Sequence, residues 1–129
     1  MPTNGNYWTS YEGTHGSRGA ADDKDGYYYT WDAAMNVCPS GWSLPTDGDW
    51  TILENYLGTT VGSSNFDAKL AGYRSTSGSF NHRGDSAYLW SSTESGDGVY
   101  RRILSTSYTT VYRDTINKLY GFSVRCIKD

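Results

Sequence analysis

The sequence is poor in the residues that most function classes need. It has two cysteines and two histidines in 129 residues. His15 and His82 have no other histidine or cysteine at ligand spacing, so no zinc site is expected. No apolar run is long enough to span a bilayer, and no membrane insertion is expected. The formal net charge of -3 gives no electrostatic footprint for nucleic acid or an anionic membrane. There is no Gly-x-Ser-x-Gly nucleophile elbow and no phosphate-binding loop. Asp22-Asp23-Lys24-Asp25-Gly26 lacks an acid at Ala21 and a helix before it, so it is not an EF-hand loop. No cofactor is expected, and the chain is read as a non-enzyme. The opening residues, Met1 to Asn6, are polar and carry no apolar stretch of the signal-peptide kind. A cytosolic chain and a domain cut from something larger both remain open.

Lysine and glutamate are also scarce, which argues against a helical bundle. Aromatic residues reach 16%, with twelve Tyr and five Trp, beside fifteen Gly. That composition favours a loop-rich fold with short strands. Tyr, Ser, Gly and Asn also dominate evolved recognition surfaces, where Tyr offers large contact area at low entropic cost. The length fits one domain, 1–129, with a polar N-terminal segment over about 1–25.

Along the chain the pattern is α+β, with two short helices followed by a small antiparallel sheet. Gly26 to Tyr29 reads as a short strand. Thr30 is placed to cap a helix over Trp31–Val37, with Asp32 in its first turn, and Cys38-Pro39-Ser40-Gly41 stops it. Thr46 caps a second helix in which Trp50, Leu53 and Leu57 share a face, with Gly58 as the stop. Gly58 to Asp85 is turn-rich, with regular structure expected only near Phe66 to Leu70. Strands are expected at Tyr88–Ser92, Val99–Ser105, Thr109–Arg113 and Gly121–Lys128. Trp31, Trp42, Trp50 and Trp90 are read as core rather than as sugar platforms. Arg83-Gly84-Asp85 spells an integrin-recognition tripeptide, but a tight turn between strands is sufficient reason for Gly84.

Three segments together resemble the FISUMP-type domain, a branch of the C-type-lectin-like fold. They are Tyr28-Tyr29-Thr30-Trp31-Asp32-Ala33-Ala34 running to Cys38-Pro39-Ser40-Gly41-Trp42-Ser43-Leu44-Pro45, then Trp90-Ser91-Ser92-Thr93-Glu94, and finally Gly121-Phe122-Ser123-Val124-Arg125-Cys126-Ile127-Lys128-Asp129. Lys69-Leu70, Gly72-Tyr73-Arg74 and Gly78-Ser79-Phe80 follow the same pattern. The resemblance runs over about residues 27–129, in a compact version that lacks a segment between positions like Leu70 and Gly72. It implies a compact C-type-lectin-like fold in which Cys38 and Cys126 are neighbours, either bonded or as adjacent thiols. Glu94 is expected to hydrogen-bond backbone. Calcium–sugar triplets of the wider lectin fold do not occur here, so no calcium-dependent sugar site is expected.

The best-understood members of that family are variable proteins of diversity-generating retroelements, in which adenine-directed mutagenesis rewrites a C-terminal strand-and-loop surface. Ser95 to Tyr120 sits at the matching place. Adenine-directed change of an Asn codon ending in C reaches every residue type in that segment except the one at Lys118. The resemblance therefore implies a ligand-binding face made of Asp97, Val99, Arg101, Ile103, Ser105, Ser107, Tyr108, Tyr112, Asp114, Ile116, Leu119 and Tyr120. Tyr112 and Tyr120 are the expected anchors, while Tyr100, Leu104, Val111 and Phe122 are expected in the core. The partner would be a protein or glycan on a cell or virion surface, with this domain itself displayed there. Two rival readings are a fixed-sequence carbohydrate-binding or adhesion module and a catalytic relative of the formylglycine-generating oxidases.

Overall fold

The computed structural model describes residues 8–10, 17–18, 27–57, 70–105 and 111–129; at 8–10, 17–18, 27, 56 and 57 it describes the backbone alone. Three short strands come first: β1 (Trp8–Ser10), β2 (Ser17–Arg18) and β3 (Tyr27–Tyr28). Helix α1 (Trp31–Val37), strand β4 (Trp42–Ser43) and helix α2 (Asp47–Leu57) follow. Next are the hairpin strands β5 (Tyr73–Arg74) and β6 (Phe80–Asn81). The largest sheet is built by β7 (Ser86–Ser95), β8 (Gly98–Ser105) and β9 (Tyr112–Ile116), and β10 (Arg125–Lys128) closes the chain. The two helices and small antiparallel sheets match the α+β expectation.

Both helices begin where the sequence signals place them, but by different chemistry. Thr30 stands at the N-cap of α1 in extended conformation, yet its side chain makes no capping bond. Only its carbonyl serves, accepting from the Ala34 N–H at 2.8 Å. The expected Thr30 side-chain cap is therefore corrected; α1 is held instead by burial of Trp31, Ala34 and Val37. At α2 the cap is reciprocal. Asp49 N–H donates to Thr46 Oγ1 at 3.0 Å, and Thr46 N–H donates to Asp49 Oδ2 at 3.0 Å. This satisfies two orphan donors of the first turn. Trp50 and Leu53 on the apolar stripe are buried.

The Trp90-Ser91-Ser92-Thr93-Glu94 stretch forms an irregularity in β7, where the register against β8 shifts between Trp90 and Glu94. Each residue there is tied to a different element. Trp90 Nε1–H donates to the Tyr29 carbonyl at 2.6 Å, and the Trp90 carbonyl accepts from Trp50 Nε1–H at 3.3 Å. The Ser91 carbonyl accepts from Trp31 Nε1–H at 2.9 Å. Ser92 N–H donates to Pro45, and Thr93 Oγ1 accepts from the Asp47 N–H. Glu94 differs from expectation: it is exposed and pairs with Lys118 Nζ at 2.6 Å rather than with backbone.

The expected last strand is split. Residues 121–123 bridge Arg74, Tyr29 and Leu89 before β10 inserts between β1 and β4. Cys126, on β10, is disulfide-bonded to Cys38 just after α1, with Sγ–Sγ 2.06 Å and a sequence separation of 88. Of the two states left open for this pair, the bond is the one formed. Closing so long a loop contributes about 3–5 kcal/mol by restricting the unfolded chain.

Candidate functional site

The β7–β8–β9 sheet sorts residues by parity, because successive side chains in a strand point to opposite faces. Pairing sets three rows on one face: Tyr88–Ile103–Tyr112, Trp90–Arg101–Asp114, and Glu94–Val99–Ile116. The other face carries Ala87, Leu89, Arg102, Leu104 and Arg113. Trp50 and Leu53 of α2 join Ala87, Leu89 and Leu104 in one core cluster, with Val111 packed against it. So Val99, Arg101, Ile103, Ser105, Tyr112, Asp114 and Ile116, seven of the residues expected to contact ligand, share one face.

That face is buried unevenly. Val99 is 0% accessible and Ser105 is 6% accessible. Their assignment as contact residues is corrected: Val99 joins Trp90, Phe122 and Val124 in the main core, and a ligand has no access to either. Ile103 and Ile116 are partly buried against that same core. They stand at its margin. Tyr112, by contrast, is 56% accessible. The face therefore passes from closed core on β7 and β8, at Tyr88, Val99 and Ser105, to open surface at Tyr112 on β9.

Arg101 and Asp114 occupy the middle row. Arg101 Nε–H donates to Asp114 Oδ1 at 2.7 Å and Nη2–H to Oδ2 at 3.2 Å. The guanidinium also lies over the Tyr88 and Phe122 rings, at 5.6 Å and 5.5 Å. A bidentate, stacked arginine is fixed in orientation and leaves few donors for a partner. Burial, followed by the neighbouring Tyr73, raises the Tyr88 hydroxyl above the usual phenol range although Arg101 acts against it. Tyr88 is thus a neutral group at physiological pH.

Beyond the Tyr88 row lies an aromatic cluster. Tyr73 meets Tyr88 at 4.6 Å between ring centroids, and Tyr120 at 5.7 Å. Tyr120 also meets Phe122 at 6.0 Å. Tyr120 is half-buried against the core, so it is a rim residue and less free than Tyr112. The sequence reading missed Tyr73, His82 and Tyr88, which complete this cluster from outside Ser95–Tyr120. Only the strand alternation around Tyr88 hinted at it; the approach of β5 and the 82–85 turn depends on tertiary packing.

Asp97 and Leu119 stand apart from these rows. Asp97 lies in the exposed turn between β7 and β8, and Leu119 is 63% accessible. Ser107 and Tyr108 lie outside the described residues, as do Thr109 and Thr110; β9 begins at Tyr112, one residue after the described Val111. Of the residues expected in the core, Leu104 and Phe122 are buried. Val111 is half-buried, and Tyr100 is half-buried beneath the Arg113 guanidinium, 4.1 Å from its ring centroid. Arg83-Gly84-Asp85 forms the expected turn between β6 and β7, with Gly84 at φ 93°.

The helix-side face carries an ion network that the sequence reading did not anticipate. Arg102, with no exposed surface, donates from Nη1 to Asp47 Oδ1 at 2.6 Å and from Nε to Glu54 Oε1 at 3.1 Å. Arg113 donates to both Asp47 oxygens, at 2.9 Å from Nε and 2.8 Å from Nη2. The Arg113 hydrogen bond is the largest influence holding the Asp47 carboxyl below the ordinary range, with Arg102 adding to it. Burial raises Glu54 instead, despite Arg102 beside it.

Among the described residues, no group of three or more His, Cys, Asp or Glu side chains is disposed to hold a metal ion. Comparison with curated proteins and with solved structures gives no match. A family model does match, twice, over residues 2–62 and 58–128. The chain belongs to the Fibrobacter succinogenes major domain family.

Proposed function

We propose that this chain is a non-catalytic binding protein of C-type-lectin-like architecture. It presents the Tyr112 end of the β7–β8–β9 sheet to a folded protein on a cell or virion surface. In this reading the segment Ser95–Tyr120 varies, as in the variable proteins of diversity-generating retroelements that the sequence resembles. The observation that carries the reading is the graded face. A rigid, core-anchored sheet leaves Tyr112 exposed, beside the half-buried Ile103, Tyr73 and Tyr120. Aromatic residues on rigid strands supply contact area at low entropic cost.

Lys118 adds support. It is the residue of Ser95–Tyr120 that adenine-directed change cannot reach, and it belongs to the scaffold. Its Nζ pairs with Glu94 and sits 4.8 Å from the Trp31 ring centroid, while its carbonyl accepts from the Trp31 N–H at 3.1 Å. Sequencing this gene and its flanking DNA across one population tests the reading. Substitutions clustered at Asp97, Ile103, Tyr112, Asp114 and Leu119, with Val99, Arg102, Leu104 and Lys118 constant, are the expected result. An invariant segment with no nearby adenine-differing copy would favour a fixed adhesion module. Changes spread evenly over buried and exposed positions would falsify the surface assignment.

A further inference from the structure

We infer that the Cys38–Cys126 disulfide is a redox latch. Through α1 it fixes the turn at 117–119, and its reduction loosens that turn while the β7–β8–β9 sheet stays folded. What the latch means for binding rests on the proposed role of that face; the latch itself does not. The two sulfurs stand in unlike surroundings. Cys126 is 1% accessible, on β10 between β1 and β4. Cys38 is half-buried and is followed by the exposed Pro39 and Ser40. A dithiol reductant therefore attacks at Cys38. Its thiolate bonds to the Cys38 sulfur, the bond to Cys126 breaks, and Cys126 leaves as a thiolate that takes up a proton. The second thiol of the reductant then attacks the mixed disulfide, releases Cys38 as a thiol and closes the reductant's own disulfide. Two electrons and two protons pass from the reductant to the protein.

Two thiols cannot stay at bonding distance in a closed core, so reduction must displace one side of the bond. The side that yields is α1. Strand β10 is paired on both edges, with β1 and with β4. Helix α1 has seven residues, too few to be helical by itself. Thr30 gives it no side-chain cap, and its last turn has no basic residue to meet the helix dipole. The end of α1 away from the disulfide holds the turn. Trp31 N–H donates to the Lys118 carbonyl at 3.1 Å, and the Trp31 ring centroid lies 4.8 Å from Lys118 Nζ. The turn's hydrogen bonds from Leu119 N–H to Asn117 Oδ1 and from Lys118 Nζ to Glu94 are exposed. Tyr120 stays stacked on Tyr73 and Phe122, so the loosened piece is residues 117–119, which carry the 63% accessible Leu119. The β7–β8 pairing is backed by α2 through Trp50, Leu53, Leu89 and Leu104, a cluster in which α1 has no part, and it survives the change.

The test is native-state amide hydrogen exchange on the full chain without any partner, before and after excess dithiothreitol, with alkylation counting the thiols released. The Trp31 amide reports the contact between α1 and the turn directly, and the Leu119 amide reports the turn. The expected result is both thiols released, exchange about tenfold faster at Trp31 and Leu119, and β7–β8 amides within about threefold of their oxidised rates. The double variant Cys38→Ala, Cys126→Ala should show the same pattern with no reductant. Unchanged exchange at Trp31 and Leu119 after both thiols are released overturns the inference. So does acceleration spread equally over the β7–β8 amides, in the reduced chain or the variant, since the bond is then a brace for the whole fold. A bond that resists dithiothreitol until the chain unfolds overturns it by denying access to Cys38. Because no partner is present, none of these failures touches the binding reading, and loss of that reading leaves the exchange result standing.

Discussion

The two faces of the β7–β8–β9 sheet are made from the same three strands and alternate residue by residue, yet they are finished differently. The helix-side face is sealed over β7 and β8, while Arg113 and Thr115 on β9 are exposed. Leu89 and Leu104 meet Trp50 and Leu53, and the fully buried Arg102 is paired with two carboxylates of α2. The opposite face is sealed on β7 and β8, where Tyr88, Trp90, Val99 and Ser105 are buried, and is open at Tyr112 on β9. A sheet in which β7 and β8 are mostly buried can leave the edge strand β9 partly uncovered without losing its register, since a one-residue slip would expose the whole buried set. Both faces are anchored by core on β7 and β8, and the surface left available for contact lies along β9.

Mutations can break that comparison, and the largest effect is expected at its common anchor. Trp90→Ala removes a fully buried ring and its hydrogen bond to the Tyr29 carbonyl, so calorimetry should show a loss of about 3–5 kcal/mol. A change under about 1 kcal/mol would mean the surrounding core is not as closed as described.

On the helix-side face, Arg102→Ala leaves Glu54 and part of Asp47 without their buried partner. Denaturant unfolding should register about 3 kcal/mol of destabilisation. Arg102→Met, which replaces the ion with apolar volume, should cost clearly less; equal losses would show that packing rather than charge dominates there.

The same network sets an acid response. Asp47 is held below the ordinary carboxylate range, so its contribution is present above about pH 4 and disappears as pH falls through the lower folded value. Melting temperature measured below pH 4 should drop in the parent chain, and Asp47→Asn should flatten that limb. Glu54 is raised above 4.5 and acts in the reverse sense: stability declines as pH climbs through its folded value. Glu54→Gln should remove this decline. If it instead steepens the loss, burial does not govern Glu54.

On the open face the effects should shrink in step with exposure. Tyr120→Ala loses ring contacts with Tyr73 and Phe122 and should cost about 1–2 kcal/mol. Tyr112→Ala should fall within about 0.5 kcal/mol of the parent. Similar costs for the two would erase the gradient on which the binding proposal stands.

Much of the architecture could be read from local pattern. The α1 boundaries follow from an acidic first turn and a Cys-Pro stop. The α2 start follows from Thr46 with Asp49 three residues on, and its buried stripe from Trp50 and Leu53 at helical spacing. The alternating choice of Val99, Arg101, Ile103, Tyr112, Asp114 and Ile116 placed all six on one face, because strand parity is a local property. Depth along that face was not local. Val99 and Tyr112 have the same parity, and what separates them is that Phe122, Val124 and Trp90 gather over one and not the other. The β5–β6 hairpin was likewise missed, since two-residue strands carry too little periodicity to be seen.

The sequence by itself determined the α+β order, the helix starts, the parity of the long strands and the membership of the family. Each of these depends on residues close together in the chain. Tertiary structure alone decided that Cys38 and Cys126 are bonded, that Arg102 is buried between Asp47 and Glu54, and that Tyr73 and His82 stand beside Tyr88. Those arrangements join residues 6 to 88 positions apart, and no local propensity encodes which side chain will fill the space next to another.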